Sequence, residues 1–236
     1  MKKLFFITLL AVFSIFFMYA SGDGPGTWTQ SLSSAGQIWG IAVAPSSPQT
    51  IYAASNSTGM WKSTNSGANW VQINTGLSNL ILQCVAVSPT NANVVMCGST
   101  NTGTNPGVYR SSDGGSNWTR VVTGITETNI NIQALAIDPV NPNTAYCTLF
   151  DGTTNSPNGL YKTTNGGTLW VPITTGIGTI KNFLAVAVNP LNANVVYAGT
   201  SFDPLTSTGP SKVYKSVNGG SSWTEISNGL PSLSTD

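Results

Sequence analysis

Beyond its first 22 residues the chain is a succession of short apolar runs in which apolar positions alternate with small or polar ones. Alternation with a period of two is the mark of a half-buried β-strand, and no later stretch carries the 3.6-residue period of an amphipathic helix. Each run ends in turn chemistry: Leu135-Ala-Ile-Asp-Pro139 closes on a proline, and Thr144-Ala-Tyr-Cys147 resumes the strand pattern. Corresponding turn prolines stand at Pro45, Pro89, Pro139 and Pro190. The first unit resolves into four runs: A (Ile41 to Ala44), B (Ile51 to Ala54), C (Met60 to Ser63) and D (Trp70 to Ile73).

The unit then recurs, and one octapeptide marks every copy: Ser63-Thr-Asn-Ser-Gly-Ala-Asn-Trp70, Ser111-Ser-Asp-Gly-Gly-Ser-Asn-Trp118, Thr163-Thr-Asn-Gly-Gly-Thr-Leu-Trp170 and Ser216-Val-Asn-Gly-Gly-Ser-Ser-Trp223. The tryptophans are 48, 52 and 53 residues apart, and an aromatic-basic pair precedes each octapeptide: Trp61-Lys62, Tyr109-Arg110, Tyr161-Lys162 and Tyr214-Lys215. Four strands in about 50 residues is the size of a propeller blade, whereas a β-helix repeats over a much shorter length. The octapeptide suits a tight C-to-D turn. Its third residue, Asn or Asp, is expected to bond an amide two residues on, and its fifth, Gly, can take positive φ. The terminal Trp supplies an apolar face between neighbouring blades. The fold class expected is all-β, a β-propeller with about four four-stranded blades present.

The pattern Ser/Thr-x-Asp/Asn-x-Gly-x-x-Trp resembles the Asp-box, or BNR, repeat of sialidases, family 74 xyloglucanases, sortilin-type receptors and Ycf48-like assembly factors, over residues 28 to 230. That resemblance implies a shared propeller scaffold that carries hydrolases, receptors and assembly factors alike. The acid is kept once, at Asp113, with Asn65, Asn165 and Asn218 elsewhere, which suits a turn and not calcium coordination. Trp28-Thr-Gln matches Trp70-Val-Gln, so Thr27 to Ser31 reads as a D strand without its own A, B and C. Five D strands against four A-B-C sets predict a part of a larger propeller; the alternative is a true four-bladed ring.

Composition narrows the chemistry. Of the 236 residues, 40% are hydrophobic and only 7% charged, with nine basic groups against eight acidic, so the chain has no electrostatic footprint for nucleic acid. Histidine is absent, which excludes a Ser-His-Asp triad, a Cys-His pair and a His-ligated zinc from within the chain. No cofactor and no metal are expected. Lys2 and Lys3 followed by the apolar run Leu4 to Met18 and the small residues after it read as a signal peptide over residues 1–22, with an uncleaved anchor as the alternative. Residues 23–236 then form the propeller domain, secreted, extracellular or periplasmic, with no membrane contact beyond the leader. Three cysteines cannot all pair within one chain. Cys97 and Cys147 replace Ala53 and Ala198 at one repeat position and read as small buried hydrophobes.

Candidate chemistry lies where the repeat is broken. The A-B and C-D turns share one end of the blades, and the D-A and B-C loops share the other. The B-C loops vary in length while the octapeptides do not, and variable loops on a constant scaffold are where binding resides. The expected ligand-binding residues at that end are Trp39, Glu127, Phe150, Asp151, Lys181, Phe202 and Asp203. Trp39 stands where the other units carry Gln83, Gln133 and Leu184. The partner is an extracellular glycan or protein, held by a binding or scaffold module. The competing class is a fragment of a xyloglucanase-like glycoside hydrolase, whose chemistry needs two carboxylates. Asp151 and Asp203 are the candidates for that pair. The family resemblance would place one acid at the end of Tyr52-Ala-Ala-Ser-Asn56, where this chain has an amide that cannot act as a base. The sialidase resemblance implies three arginines on a substrate carboxylate, and only Arg110 and Arg120 exist here.

Overall fold

The structure, a computed structural model, describes residues 32, 35–127, 129–150, 159–177, 182–200 and 211–230. The leader, the Thr27 to Ser31 strand, Asp151, Lys181, Phe202 and Asp203 lie outside them. Among the described residues sixteen strands build four antiparallel sheets, each of four strands in chain order. The first contains β1 (Ile38–Val43), β2 (Ile51–Ser55), β3 (Gly59–Ser63) and β4 (Val71–Gln72). The second contains β5 (Leu82–Val87), β6 (Val95–Ser99), β7 (Val108–Ser111) and β8 (Thr119–Arg120). The third is β9 (Ile132–Ile137), β10 (Ala145–Leu149), β11 (Leu160–Thr163) and β12 (Val171–Pro172). The fourth is β13 (Phe183–Asn189), β14 (Asn192–Thr200), β15 (Val213–Ser216) and β16 (Thr224–Glu225). Run A therefore starts three residues earlier than its apolar pattern indicated, and run D shrinks to two paired residues because its Trp turns away from the ladder into the seam between sheets.

First strands lie side by side, β1 against β5, β5 against β9 and β9 against β13, whereas β1 and β13 do not share this packing. Between sheets the seams are apolar and repetitive. Tyr52, Ala54 and Met60 of the first sheet meet Val85, Cys97, Tyr109 and Trp118 of the second. Met96 and Val108 meet Leu135, Cys147, Tyr161 and Trp170 in the next seam, and Tyr146 and Leu160 meet Val186, Ala198, Tyr214 and Trp223 in the last. Cys97 and Cys147 occupy the same register position as Ala53 and Ala198, fully buried, and all three cysteines are free thiols. Burial pushes the thiol of Cys84 up to about 12 and those of Cys97 and Cys147 well above their ordinary range.

The octapeptide turn is built differently from the simplest reading of its residues. The hydroxyl of the first residue accepts the amides two and four residues on: Ser111 Oγ takes the N–H of Asp113 at 3.3 Å and of Gly115 at 2.8 Å. The same hydroxyl donates to Asp113 Oδ1 at 2.8 Å. The Asn or Asp reaches the amide four residues on, as in Asn69 N–H to Asn65 Oδ1 at 2.8 Å and Asn117 N–H to Asp113 Oδ1 at 2.9 Å. The expected bond to the second amide therefore belongs to Ser or Thr. Positive φ is needed at two successive positions, Gly114 and Gly115 at 70° and 90°, which explains the Gly-Gly pair; the first unit puts Ser66 there at 58°.

Candidate functional site

Each first strand carries one extra residue near its start. Ile38 faces Ser55 and Gly40 faces Ala54, so Trp39 has no partner in the ladder. The same irregularity leaves out Gln83 between Leu82 and Cys84, Gln133 between Ile132 and Ala134, and Leu184 between Phe183 and Ala185. A bulge re-aims its extra side chain away from the alternation of the strand. Four side chains thus share one register position on four neighbouring inner strands, at the end where the D-A and B-C loops meet. Trp39 is 48% exposed and Leu184 45%, while Gln83 and Gln133 between them are half-buried, with Gln83 Nε2 3.4 Å from Gln133 Oε1.

Polar groups gather around this row. Asn56 at the tip of the first B-C loop donates from Nδ2 to Gln37 Oε1 at 2.8 Å, and its backbone N–H bonds Gln37 O at 3.0 Å. Phe150 N–H makes the matching bond to Asn131 O at 3.1 Å, which holds half-buried Phe150 over the third blade's entry loop. Asn131 Oδ1 and Asn182 Oδ1, each one residue before an inner strand, are buried acceptors without a hydrogen-bond partner among the described residues. Buried acceptors of this kind call for water or a ligand donor.

Glu127 is only 6% exposed. Its Oε2 accepts from the Tyr161 hydroxyl, and its Oε1 is 3.4 Å from the Gly159 N–H. In the second blade the equivalent Tyr109 hydroxyl donates to the Asn105 carbonyl at 2.6 Å. Burial and this carboxylate push the Tyr161 phenol up to about 12. Of the residues singled out from sequence, Trp39 sits in the first blade, whereas Glu127 and Phe150 serve the third. Gln83 and Gln133 were not among the expected site residues. Their alignment with Trp39 was the available signal; the bulge that gives it meaning was not visible in the alternation. Among the described residues no three metal-ligating side chains come together.

The sheet order and the side-by-side inner strands match a group of solved structures. An ancestral GH74 enzyme is 28% identical, with a TM-score of 0.64 over 81% of this chain and 24% of its own. The fold is a β-propeller. The GH74 enzyme of Niastella koreensis is 27% identical, with a TM-score of 0.63 over 84% of this chain and 32% of its own. YCF48 from Cyanidioschyzon merolae shares the propeller fold at 18% identity, with a TM-score of 0.55 over 86% of this chain and 58% of that one. The chain thus spans about a quarter to a third of the length of the two GH74 enzymes. No family model and no curated protein matches it.

Proposed function

We propose that this chain is the binding part of a secreted or cell-surface Asp-box propeller, and that it holds an extracellular glycan along the row of bulged side chains. The observation that carries this reading is the row itself, which aligns an exposed indole, two touching amides and an exposed aliphatic side chain on consecutive inner strands. An indole face suits sugar C–H groups, and amides both donate to and accept from hydroxyls. The side-chain oxygens of Asn131 and Asn182, unpaired among the described residues, add acceptors at the same rim. Such a surface is neutral, in keeping with a chain of so little charge, and a few well-placed groups suffice to orient a ligand.

A hydrolytic reading needs two carboxylates across a sugar bond. On this end of the described blades the one carboxylate, Glu127, is bonded inward, and Asn56 cannot take a proton. GH74 enzymes are the neighbours that favour the hydrolase reading, and Asp151 with Asp203 would have to supply its acid and base. YCF48 supports the propeller scaffold alone.

Screening the protein on a glycan array and an extracellular-protein array separates the classes. Trp39→Ala and Gln133→Ala are expected to weaken glycan binding by about tenfold or more each, as central contacts do. Binding that survives both changes but falls when the octapeptide turns are altered would place the site on the opposite end of the propeller. Release of reducing sugar that vanishes in Asp151→Asn would establish the hydrolase instead.

A further inference from the structure

The second paired residue of strand D stands at one register position in each blade: Gln72 opposite Trp61, Arg120 opposite Tyr109, Pro172 opposite Tyr161 and Glu225 opposite Tyr214. From there a side chain can reach the end of its own blade's B-C loop, just before strand C. Gln72 Nε2 donates to Thr58 O at 2.6 Å. Arg120 spans the same gap with a fork, donating from Nε and Nη2 to Pro106 O at 3.1 and 2.7 Å. Glu225 meets Lys212 Nζ at 2.8 Å. Pro172 has no side-chain group for the task.

What Arg120 holds is the B-C loop of the second blade, Thr100 to Pro106. The loop is fastened along its length. Thr100 N–H bonds Ile81 O at 3.0 Å, and Asn79, 1% exposed, donates from Nδ2 to Thr100 O at 3.1 Å. Thr104 Oγ1 donates to Ser78 O at 2.6 Å, and Gly103 lies so close to the Asn79 amide that a Cβ there would be 2.4 Å from Oδ1. Pro106 is held from the outer edge of the sheet, by a side chain that is itself exposed. The shape of the loop is therefore set before any ligand arrives.

This loop stands beside the bulged row. Gln83 falls between the pairs Leu82–Ser99 and Cys84–Gly98, so the loop begins at the residue after the strand segment that flanks Gln83. Asn101, Thr102, Thr104 and Asn105 are exposed on it, amides and hydroxyls that both donate and accept, with no charge among them. The second blade is packed on both sides, by the first blade and by the third.

We propose that Arg120 is a positioning residue for ligand recognition: it fixes Thr100–Pro106 as a preformed polar wall beside Gln83, and Asn101 on that wall helps select the ligand. The inference rests on the reading of the bulged row as a glycan site and adds the ligand's chemistry, a neutral, hydroxyl-rich chain whose contacts continue from the inner strands onto the loop. A loop already in order binds without the entropic cost of ordering it, so a clamp at its end acts on affinity without touching the ligand.

Affinity electrophoresis through gels that hold soluble neutral polysaccharides (hydroxyethyl cellulose, galactomannan and laminarin) tests this together with amide hydrogen exchange. In Arg120→Ala the Thr100 and Gly107 amides, bonded to Ile81 O and Ser99 Oγ, are expected to exchange faster. Retardation by a polysaccharide that binds the unaltered protein is expected to weaken about three- to tenfold, the range that ordering a side chain or two on binding costs. Arg120→Gln is expected to restore both readouts, because Gln72 makes the same reach in the first blade. Asn101→Ala is expected to weaken retardation with loop exchange unchanged. The Arg120 side chain is exposed, so both of its variants should keep the thermal transition of the unaltered protein. Unchanged exchange in Arg120→Ala, faster exchange with retardation intact, or a loss that Arg120→Gln does not restore overturns the proposal. Unaltered protein that none of these polysaccharides retards counts against the glycan reading itself and takes the inference with it.

Discussion

Trp118 and Trp39 are two tryptophans of one propeller with opposite expected consequences. Trp118 is 4% exposed, packed in the seam among Tyr52, Met60, Val95 and Tyr109, and bonded through its indole to Ile73 O. A tryptophan buries about 200 Å² on folding, which at about 25 cal/mol per Å² corresponds to roughly 5 kcal/mol as an upper bound. Removing it also leaves the Ile73 carbonyl without its partner, while partial collapse of the seam returns some of the loss. Trp118→Ala is therefore expected to cost about 3 to 5 kcal/mol, in line with large-to-small core changes. Trp118→Phe keeps most of the area and loses the N–H, at about 1 to 2 kcal/mol. Trp39→Ala, at a half-exposed bulge, should stay within about 0.5 kcal/mol. Urea unfolding of the three variants at one slope reads these differences directly. A Trp118→Ala midpoint no lower than that of Trp39→Ala would refute both the seam geometry and the assignment of the octapeptide tryptophans to architecture.

Acid should act through Asp113, whose carboxyl is held down at about 2 by hydrogen bonds from the Asn117 side chain and backbone and from Ser111. Because the folded value lies below the ordinary 3.8, this stabilisation is complete above pH 4 and is lost as pH falls toward 2. In melts across that window Asp113→Asn should remove the turn's share of the pH dependence while keeping the fold, as Asn65 does in the first unit. At the alkaline end, burial raises the phenols of Tyr52, Tyr146 and Tyr161 from 10.0 to about 12. Their contribution is complete below pH 10 and is lost as pH rises toward 12, which absorbance titration of tyrosinate alongside circular dichroism would follow. Gly76→Ala adds a Cβ 2.1 Å from the Trp118 carbonyl at a φ of 90°, and should destabilise by more than about 2 kcal/mol. The same change at Gly229 meets no described neighbour and should cost only its backbone strain, so equal melting temperatures for the two would argue against the close approach of the Trp118 carbonyl to Gly76.

The fold was legible because the seam chemistry is spelled out in contiguous residues. Ser63 to Trp70 and its three relatives each contain the hydroxyl, the Asn or Asp, two left-handed positions (Ser66-Gly67 in the first, Gly-Gly in the others) and the Trp in one octapeptide, so a local pattern carries the long-range contact. The site was legible only in part, for a reason that Trp39 and Glu127 illustrate from opposite sides. Both depart from their repeat, and a departure says that a residue is doing something else without saying in which direction its side chain points. Glu127 departs and turns inward, where it accepts from the Tyr161 hydroxyl of the third blade. Trp39 departs at a bulge, where the residue has left the alternation that would otherwise fix its facing. A single bulged residue among alternating small and apolar ones reads from sequence as a continuation of the strand. Its displacement appears only when the partner strand is laid beside it, with Gly40 opposite Ala54 and Ile38 opposite Ser55. Gln83, Gln133 and Leu184 then fall into line as well, although nothing in their chemistry alone groups two amides with an indole and an isobutyl chain. What aligns them is a backbone irregularity held constant in four blades while the side chain on it varies, and a scaffold that fixes position and frees identity is how one architecture comes to hold different ligands.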